Sequence, residues 1–378
     1  MRTLIAGGGT GGHVNPALAI ARVLAEQDPK GEILYVGTRD GLEADLVPRA
    51  GLAFATIDVK GILRKSAAER ITGVVKAAGA CLQAARIIRR FRPDVVVGTG
   101  GYVCGPVVLM GAVSGLPTLI QEQNVFPGLT NRLLSPFVTR IAVPFDDARK
   151  YFATPGKVVV TGNPIRSEIL DRKRPEALAA MGLDPERRTL LVFGGSRGAE
   201  TINRAMIEAL PKLLTRGDLQ VVFATGTTHH QATVEAMTRA GFDPAAQRNL
   251  VLVPYLYNQD AALACADLAV TRAGGITVAE LTAMGIPAIL VPSPNVTHNH
   301  QEYNAQALAS RGAAIIIADA ALTGEAIAGQ VQALLDDPDR LAAMTKAARE
   351  MGRPSAAAEI GREIRSIVRT RHRSSSSR

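Results

Sequence analysis

Tryptophan is missing from this 378-residue chain, and aromatic residues together make up only 4% of it. Surfaces that read nucleic acid by interleaving aromatic and basic side chains therefore have little to be built from, and no such motif is present. Cysteine is also scarce. Cys81, Cys104 and Cys265 are far apart and odd in number, which fits neither a disulfide framework nor a zinc-ligand pattern and suits a reducing compartment. No apolar run reaches the roughly 18 residues that a membrane-crossing helix needs, so any membrane contact is expected to be peripheral. Met1 leads straight into an apolar strand and a glycine loop, as expected of a chain without a secretory leader.

What the chain does have is aliphatic. Hydrophobic residues make up 47% of it, with Ala, Val, Leu and Gly prominent, a balance that suits layers of parallel strands and helices. The length favours two domains over one core. The formal net charge is +9. Such an excess of cations invites an anionic partner, whether a phosphorylated ligand, a nucleic acid or an acidic membrane. An arginine-rich composition with a basic tail is the other account.

Thr3–Ala6 is a short apolar strand that ends in Gly7-Gly8-Gly9-Thr10-Gly11-Gly12-His13, and Asn15–Glu26 then has helical periodicity. Strands and helices keep alternating through Glu32–Val36, Asp94–Val97, Val107–Ala112, Thr118–Gln121, Leu129–Leu134, Arg140–Val143 and Val158–Val160. This is the pattern of βαβ units in a parallel sheet. After a polar, basic stretch at Ser167–Arg188 the opening returns: strand Thr189–Phe193, glycine loop Gly194-Gly195-Ser196-Arg197-Gly198-Ala199, helix Thr201–Leu214. The expectation is an α/β chain of two Rossmann-like, doubly wound domains. Residues 1–162 form the first and 163–354 the second, with helix 355–369 returning to the first and 370–378 a disordered basic tail.

Gly7, Gly9 and Gly12 match G-x-G-x-x-G between a strand and a helix. Glycines let backbone approach a ligand, and a helix N-terminus offers N–H groups to anionic oxygens. A ligand-free tight turn is the plainer alternative. A dinucleotide site also wants an acid ending the second strand, about 20 residues beyond the glycines. Here that strand ends Tyr35-Val36-Gly37-Thr38-Arg39, and Asp40 lies in the loop beyond. The missing acid and the second glycine loop at Gly194 both count against a dehydrogenase. Two such halves facing each other across a cleft could hold a nucleotide sugar, as in the GT-B fold.

Seven segments then become specific as an ordered set: Gly8-Gly9-Thr10-Gly11-Gly12-His13, Gly100-Gly101-Tyr102-Val103-Cys104-Gly105-Pro106, Glu122-Gln123-Asn124, Gly162-Asn163-Pro164-Ile165-Arg166, the loop at Gly194, Arg272-Ala273-Gly274-Gly275-Ile276-Thr277 and His300-Gln301-Glu302-Tyr303-Asn304-Ala305. Together they span nearly the whole chain. The set resembles the MurG-like N-acetylglucosaminyltransferases, which move N-acetylglucosamine from UDP-N-acetylglucosamine to lipid I, giving lipid II. One departure is Gln121, where family members often have His; that histidine's role does not carry over.

The resemblance implies a donor site in the second half. The helix opening at Gly275, Ile276 and Thr277 would take the diphosphate. Glu280, placed in its first turn, would accept from ribose hydroxyls, or else only offset the helix dipole. Leu256 would lie by the uracil, or be an ordinary core leucine. Ser196 would meet a phosphate oxygen, cap a helix, or both. Arg166 would neutralise charge on the departing UDP, against the default of a surface arginine. Gln301 and Asn304 would touch the donor sugar, or serve as a polar loop and cap.

In the first half, Thr10, Gly11 and Gly12 would line the cleft, and Gly100, Gly101 and Tyr102 would form a nest for the acceptor diphosphate. His13 is a candidate general base, or a structural histidine bonded to a backbone carbonyl. Glu122, following a buried strand, is the rival base, and Asn124 would position donor or acceptor. One displacement by an oxygen nucleophile inverts the anomeric centre. No cofactor or strict metal requirement is expected; the one Asp-x-Asp, Asp337-Pro338-Asp339, reads as a solvated turn.

The segment from Lys60 to Arg92 mixes basic and aliphatic residues. It could lie on an anionic leaflet, in keeping with a peripheral enzyme at the cytoplasmic face of a bacterial inner membrane and a polyprenyl-linked acceptor, or it could be a core-packing helix with a solvated basic face. Three other functions stay in view: a UDP-N-acetylglucosamine 2-epimerase, a diacylglycerol galactosyltransferase, and a non-catalytic partner that binds a nucleotide sugar.

Overall fold

Leu4–Ala6, Val95–Val97 and Leu190–Val192 are hydrophobic at consecutive rather than alternate positions, and every one of these residues is buried. Strands of that kind are covered on both faces, as in a parallel sheet with helices on either side. The computed structural model describes residues 1–59, 67–195 and 198–376. It divides into two units: Met1–Ile165 with Pro354–Arg378, and Arg166–Arg353.

The first unit holds β1 (Arg2–Gly7), β2 (Glu32–Gly37), β3 (Ala53–Thr56), β4 (Val95–Gly100), β5 (Thr118–Gln121), β6 (Arg140–Val143) and β7 (Val158–Val160). The second holds β8 (Arg188–Phe193), β9 (Leu219–Ala224), β10 (Leu250–Val253), β11 (Leu268–Thr271), β12 (Ala288–Leu290) and β13 (Ala314–Ile316). Strand order is β3-β2-β1-β4-β5-β6-β7 in one sheet and β10-β9-β8-β11-β12-β13 in the other, with parallel pairing. Both are Rossmann-like. In each, the chain winds outward from its first strand and then crosses to that strand's other side. The order therefore reverses between β1 and β4, and between β8 and β11. Open α/β sheets bind ligands beyond the carboxyl ends of the strands at that reversal. Gly8–Gly12 and Gly101-Tyr102 flank one such point, Gly194-Gly195 and Arg272–Gly275 the other.

The polar stretch after β7 is not extended linker. It contains helices Ser167–Asp171 and Arg174–Met181. Pro175 stands in the first turn of the second helix, where its missing N–H costs nothing, and Gly182 ends that helix at φ 65°. Asp337-Pro338-Asp339 is likewise a helix start: the Asp337 carboxylate caps Arg340 N at 3.0 Å.

The last helix, Ala356–Ser376, continues past Arg369 through residues whose composition suggested disorder. It belongs to the first unit because Ile360, Ile364, Ile367 and Val368 share a core with Ile5, Ala17, Ile20 and Leu24. Of the basic segment, residues 60–66, including Lys60, Arg64 and Lys65, lie outside the described residues. The remainder lies in the helix Ala67–Phe91. There Ala80, Ala84 and Ile88 are buried, whereas Leu82, Arg86, Arg89 and Arg90 are exposed. Among the described residues, no helix is long and apolar enough to cross a membrane.

Ile364 is wholly buried. Ile364→Ala should destabilise the protein by about 2–5 kcal/mol through lost burial and the cavity left behind. Denaturant unfolding measures that loss; a change within about 0.5 kcal/mol would mean that the C-terminal helix does not share this core.

Candidate active site

The helix after β1 runs Gly11–Gln27, so it starts at the glycines rather than at Asn15. His13 N and Val14 N both donate to Thr10 O, at 3.0 and 3.1 Å. This brings His13 into the first turn, at the reversal between β1 and β4. Gly100 and Gly101, with φ of +107° and +82°, pass beneath it. A Cβ on Gly100 would stand 2.7 Å from His13 Nδ1, and one on Gly101 would stand 2.3 Å from Gly8 O. Any side chain there would push the two loops apart. Tyr102, next in the chain, is exposed.

The His13 ring is half-buried and oriented by a network of amides. Gln123 Nε2 donates to Thr99 O at 2.7 Å and to Gln121 O at 3.2 Å. Its nitrogen must face those acceptors, so its Oε1 faces His13 Nδ1, at 2.9 Å. Thr99 O, a second acceptor, lies 3.1 Å from the same nitrogen. Nδ1 thus carries the hydrogen. In the neutral ring Nε2 keeps the lone pair, with no hydrogen bond to it among the described residues. The two readings of this histidine are compatible: one nitrogen is anchored to a backbone carbonyl and the other is left as a base. Gln121 and Asn163 brace the network, with Gln121 Nε2 donating to Asn163 Oδ1 and Asn163 Nδ2 to Gln123 O, both at 2.8 Å.

Glu122 is positioned differently. Its buried carboxylate accepts from Gln123 N, Asn124 N and Asn124 Nδ2 on one oxygen, at 3.0, 2.9 and 3.2 Å. The other oxygen accepts from Gly128 N and Asn131 Nδ2, at 3.0 and 2.8 Å. Five donors fill the lone-pair positions of a carboxylate. The group ties down the loop from Gln123 to Asn131 and keeps none of its accepting capacity for an incoming hydroxyl. Asn124 is turned toward it.

In the second unit, the helix Gly275–Met284 follows β11 with no acidic residue in its first turn. Glu280, the sixth residue of this helix, lies in its second turn and not in the first as the sequence suggested. Its carboxyl is buried and accepts from Gln259 Nε2 at 2.8 Å. Arg166 Nη2 donates to the other end of Gln259, Oε1, at 3.0 Å. Burial pushes the Glu280 carboxyl up to about 7, against the opposing pull of the Arg166 charge and the Gln259 hydrogen bond. Leu256 is half-buried between exposed Tyr255 and Tyr257, whose rings meet edge to face with centroids 5.0 Å apart. Asn304 is wholly buried and donates to Ala273 O at 3.0 Å. Gln301 Oε1 accepts from Ser293 N at 2.9 Å. Both are bonded to backbone of the loops around the helix start. Ser196 lies outside the described residues.

Sequence reading gave no role to Gln123, Gln259 or Arg272. Arg272 donates to Val291 O, Pro292 O, Asp319 Oδ1 and Thr201 Oγ1, tying the ends of β11 and β12 to the helix after β8. Gln123 and Arg272 did stand inside recognisable motifs. Gln259 offered no signal beyond opening the helix Gln259–Cys265.

Two family models match, the glycosyltransferase family 28 N-terminal domain over residues 3–143 and its C-terminal domain over residues 189–360. The chain belongs to glycosyltransferase family 28. A relative from Desulforamulus reducens, named UDP-N-acetylglucosamine--N-acetylmuramyl-(pentapeptide) pyrophosphoryl-undecaprenol N-acetylglucosamine transferase, is 46% identical over 97% of this chain and 99% of its own. The crystal structure of MurG from Acinetobacter baumannii is similar at a TM-score of 0.76 and 29% identity, covering 97% of this chain and 99% of that one. A UDP-GlcNAc 2-epimerase from Neisseria meningitidis, solved with UDP-GlcNAc, shares the fold at a TM-score of 0.66 and 14% identity, over 95% of this chain and 98% of that one. In this family 28 chain the two Rossmann-like domains are thus of the GT-B class, and the chemistry is that of a glycosyltransferase.

Glu280 makes stability depend on pH. Its folded pKa of about 7 lies above the ordinary 4.5, so folding favours the protonated form. That contribution is complete below pH 4.5 and is lost as pH rises through about 7. Without ligand, stability should fall by up to about 3 kcal/mol across that range. Glu280→Gln should remove this component, as read by denaturant unfolding at about pH 5 and about pH 8. An unchanged pH dependence in the variant would assign it to other groups.

Proposed function

We propose that this chain moves N-acetylglucosamine from UDP-N-acetylglucosamine to lipid I, the polyprenyl-diphosphate-linked muramyl-pentapeptide, with inversion at the anomeric carbon, giving lipid II for peptidoglycan synthesis. The observation that carries this reading is the full-length correspondence to the Desulforamulus reducens transferase. Cell-wall biogenesis, and through it cell shape and division, is the process served.

The N-terminal unit takes the acceptor. Backbone at Thr10, Gly11 and Gly12 and the nest at Gly100, Gly101 and Tyr102 receive its diphosphate. His13 Nε2 accepts the proton of the acceptor hydroxyl as that oxygen attacks the anomeric carbon. Glu122 and Asn124 hold the loop that keeps Gln123 against the ring. The C-terminal unit takes the donor. The amides opening the helix at Gly275, Ile276 and Thr277, with Ser196, receive the diphosphate, and Arg166 offsets the charge on departing UDP. Glu280 accepts from ribose hydroxyls, and backbone at Leu256 meets the uracil. Gln301 lies at the donor sugar, and Asn304 holds the adjoining loop from behind. Helix ends and cations supply this stabilisation with no obligatory metal.

The enzyme works as a peripheral protein on the cytoplasmic face of the bacterial inner membrane. Exposed Arg86, Arg89 and Arg90 beside Leu82 support contact with an anionic leaflet, each cation near the surface contributing about 1 kcal/mol. Nucleic acid is not a partner.

The test follows radiolabel from UDP-N-acetylglucosamine into a lipid I analogue, with and without EDTA. Transfer that survives EDTA is expected. His13→Ala should lower kcat by about 10²–10⁴-fold while UDP affinity is kept. Glu122→Gln should lose stability along with activity. Tight UDP binding without transfer would overturn the acceptor assignment, and full activity in His13→Ala would remove the base.

A further inference from the structure

Glu43 opens the helix Glu43–Arg49 and is wholly buried. Among the described residues no cation pairs with it. One carboxylate oxygen accepts from Gly9 N at 3.0 Å; the other accepts from Thr38 N at 2.9 Å and Thr38 Oγ1 at 2.7 Å. The space around it is made by glycines. A Cβ on Gly8, Gly37 or Gly41 would stand 2.4, 2.4 or 2.3 Å from its side-chain atoms. Burial alone would raise this carboxyl, but the hydrogen bonds from Thr38 and Gly9 outweigh it and hold the group below the ordinary carboxylate value.

The glycine loop after β1 therefore does not offer all of its amides to a ligand. The Gly9 N–H is turned inward onto an anion belonging to the protein itself. Gly8, whose missing side chain leaves room for that anion, also presents the carbonyl on which Gly101 rests, and Gly100 lies under the His13 ring. A continuous line of close approaches runs from Glu43 through Gly8, Gly101 and Gly100 to His13, with no flexible side chain between its ends. Resting on the transferase reading above, we propose that Glu43 is a positioning residue for the transfer step, fixing the first glycine loop so that His13 presents Nε2 to the acceptor.

Glu43→Gln keeps shape and removes charge. An amide has one accepting end, so its NH₂ must face either Gly9 N–H or Thr38 N–H, donor against donor. Two readouts on the full-length protein test the idea. In the label-transfer assay, kcat should fall about tenfold or more while donor KM and UDP affinity stay within about twofold. Glu43→Asp, which keeps the charge with a shorter reach, should recover part of the loss. By ¹H–¹⁵N NMR of the histidine rings, assigned with His13→Ala, His13 should be a single Nδ1–H tautomer in the wild type and a mixture in Glu43→Gln. A His13 ring unchanged by Glu43→Gln would overturn the proposal whatever the activity does. So would donor KM rising in step with the fall in kcat, the mark of a general structural role. If the wild type transfers no label yet the His13 tautomer responds, the acceptor assignment fails and the positioning role stands. Should Glu43→Gln not fold, Thr38→Val removes one bond to the carboxylate, leaves the charge, and should shift the tautomer less.

Discussion

The close approach of two backbone loops between β1 and β4 is the constraint on which the N-terminal site depends. Gly100 and Gly101 hold positive φ where a Cβ would strike the His13 ring or the Gly8 carbonyl. Any L side chain there would be strained by conformation and blocked by contact at once. Because the loops touch, a ring on one helix can be read by the Thr99 carbonyl of β4, and Gln123, just beyond β5, can dictate which nitrogen keeps its hydrogen. The chemistry is thus set by tertiary contact between segments about a hundred residues apart in the chain, as the separations of His13 from Thr99 and Gln123 show.

The second unit repeats the winding but solves its own loop differently. Where the first unit sets a carboxylate behind the glycines after its first strand, the second sets an ion pair beside the loop after β11: Arg272, paired with Asp319, gathers the carbonyls at the end of β12 and Thr201 around the start of the Gly275 helix. A paired cation leaves the potential at the helix N-terminus to the amides themselves, whereas an unpaired internal anion subtracts from it. Glu43 has no cation beside it among the described residues, whereas the Arg272 charge is matched by Asp319, so the two units differ in whether the charge beside the loop is paired.

Much of the architecture was legible because its signals are local. Consecutive buried aliphatics marked the strands, and glycines followed by helical periodicity marked the turns. Where reading failed, the deciding term was not local. The polar, basic stretch Ser167–Arg188 reads as a break between the two halves, yet it holds helices, and Pro175 fits one of them because it stands in the first turn. The tail after Arg369 is polar by composition, yet the helix anchored by Ile360 and Ile364 carries on through it. Glu280 looked like a first-turn residue but lies in the second turn of the helix that opens at Gly275. Sequence also left His13 and Glu122 as rivals, since both are polar groups next to a strand end. Gly128 and Asn131 fill one with hydrogen bonds; the amide of Gln123 leaves the other with a free nitrogen. Glu43 gave no signal, for its meaning lies in the glycines around it.

Among the described residues, three buried carboxylates can be ordered by the donors they have found. Glu122 has five and Glu43 has three, while Glu280 has a single one from Gln259. A buried carboxylate left short of donors carries an unmet desolvation cost, and protonation is how it lowers that cost. Glu43 accordingly lies below its ordinary value and Glu280 well above. A ligand that brings hydroxyl donors to Glu280 supplies what the protein does not, and it must favour the ionised form as it does so. Of the three, Glu280 has the most hydrogen-bonding capacity left to fill. The number of donors each has found, rather than residue type or motif, is what sends Glu43 and Glu280 in opposite directions.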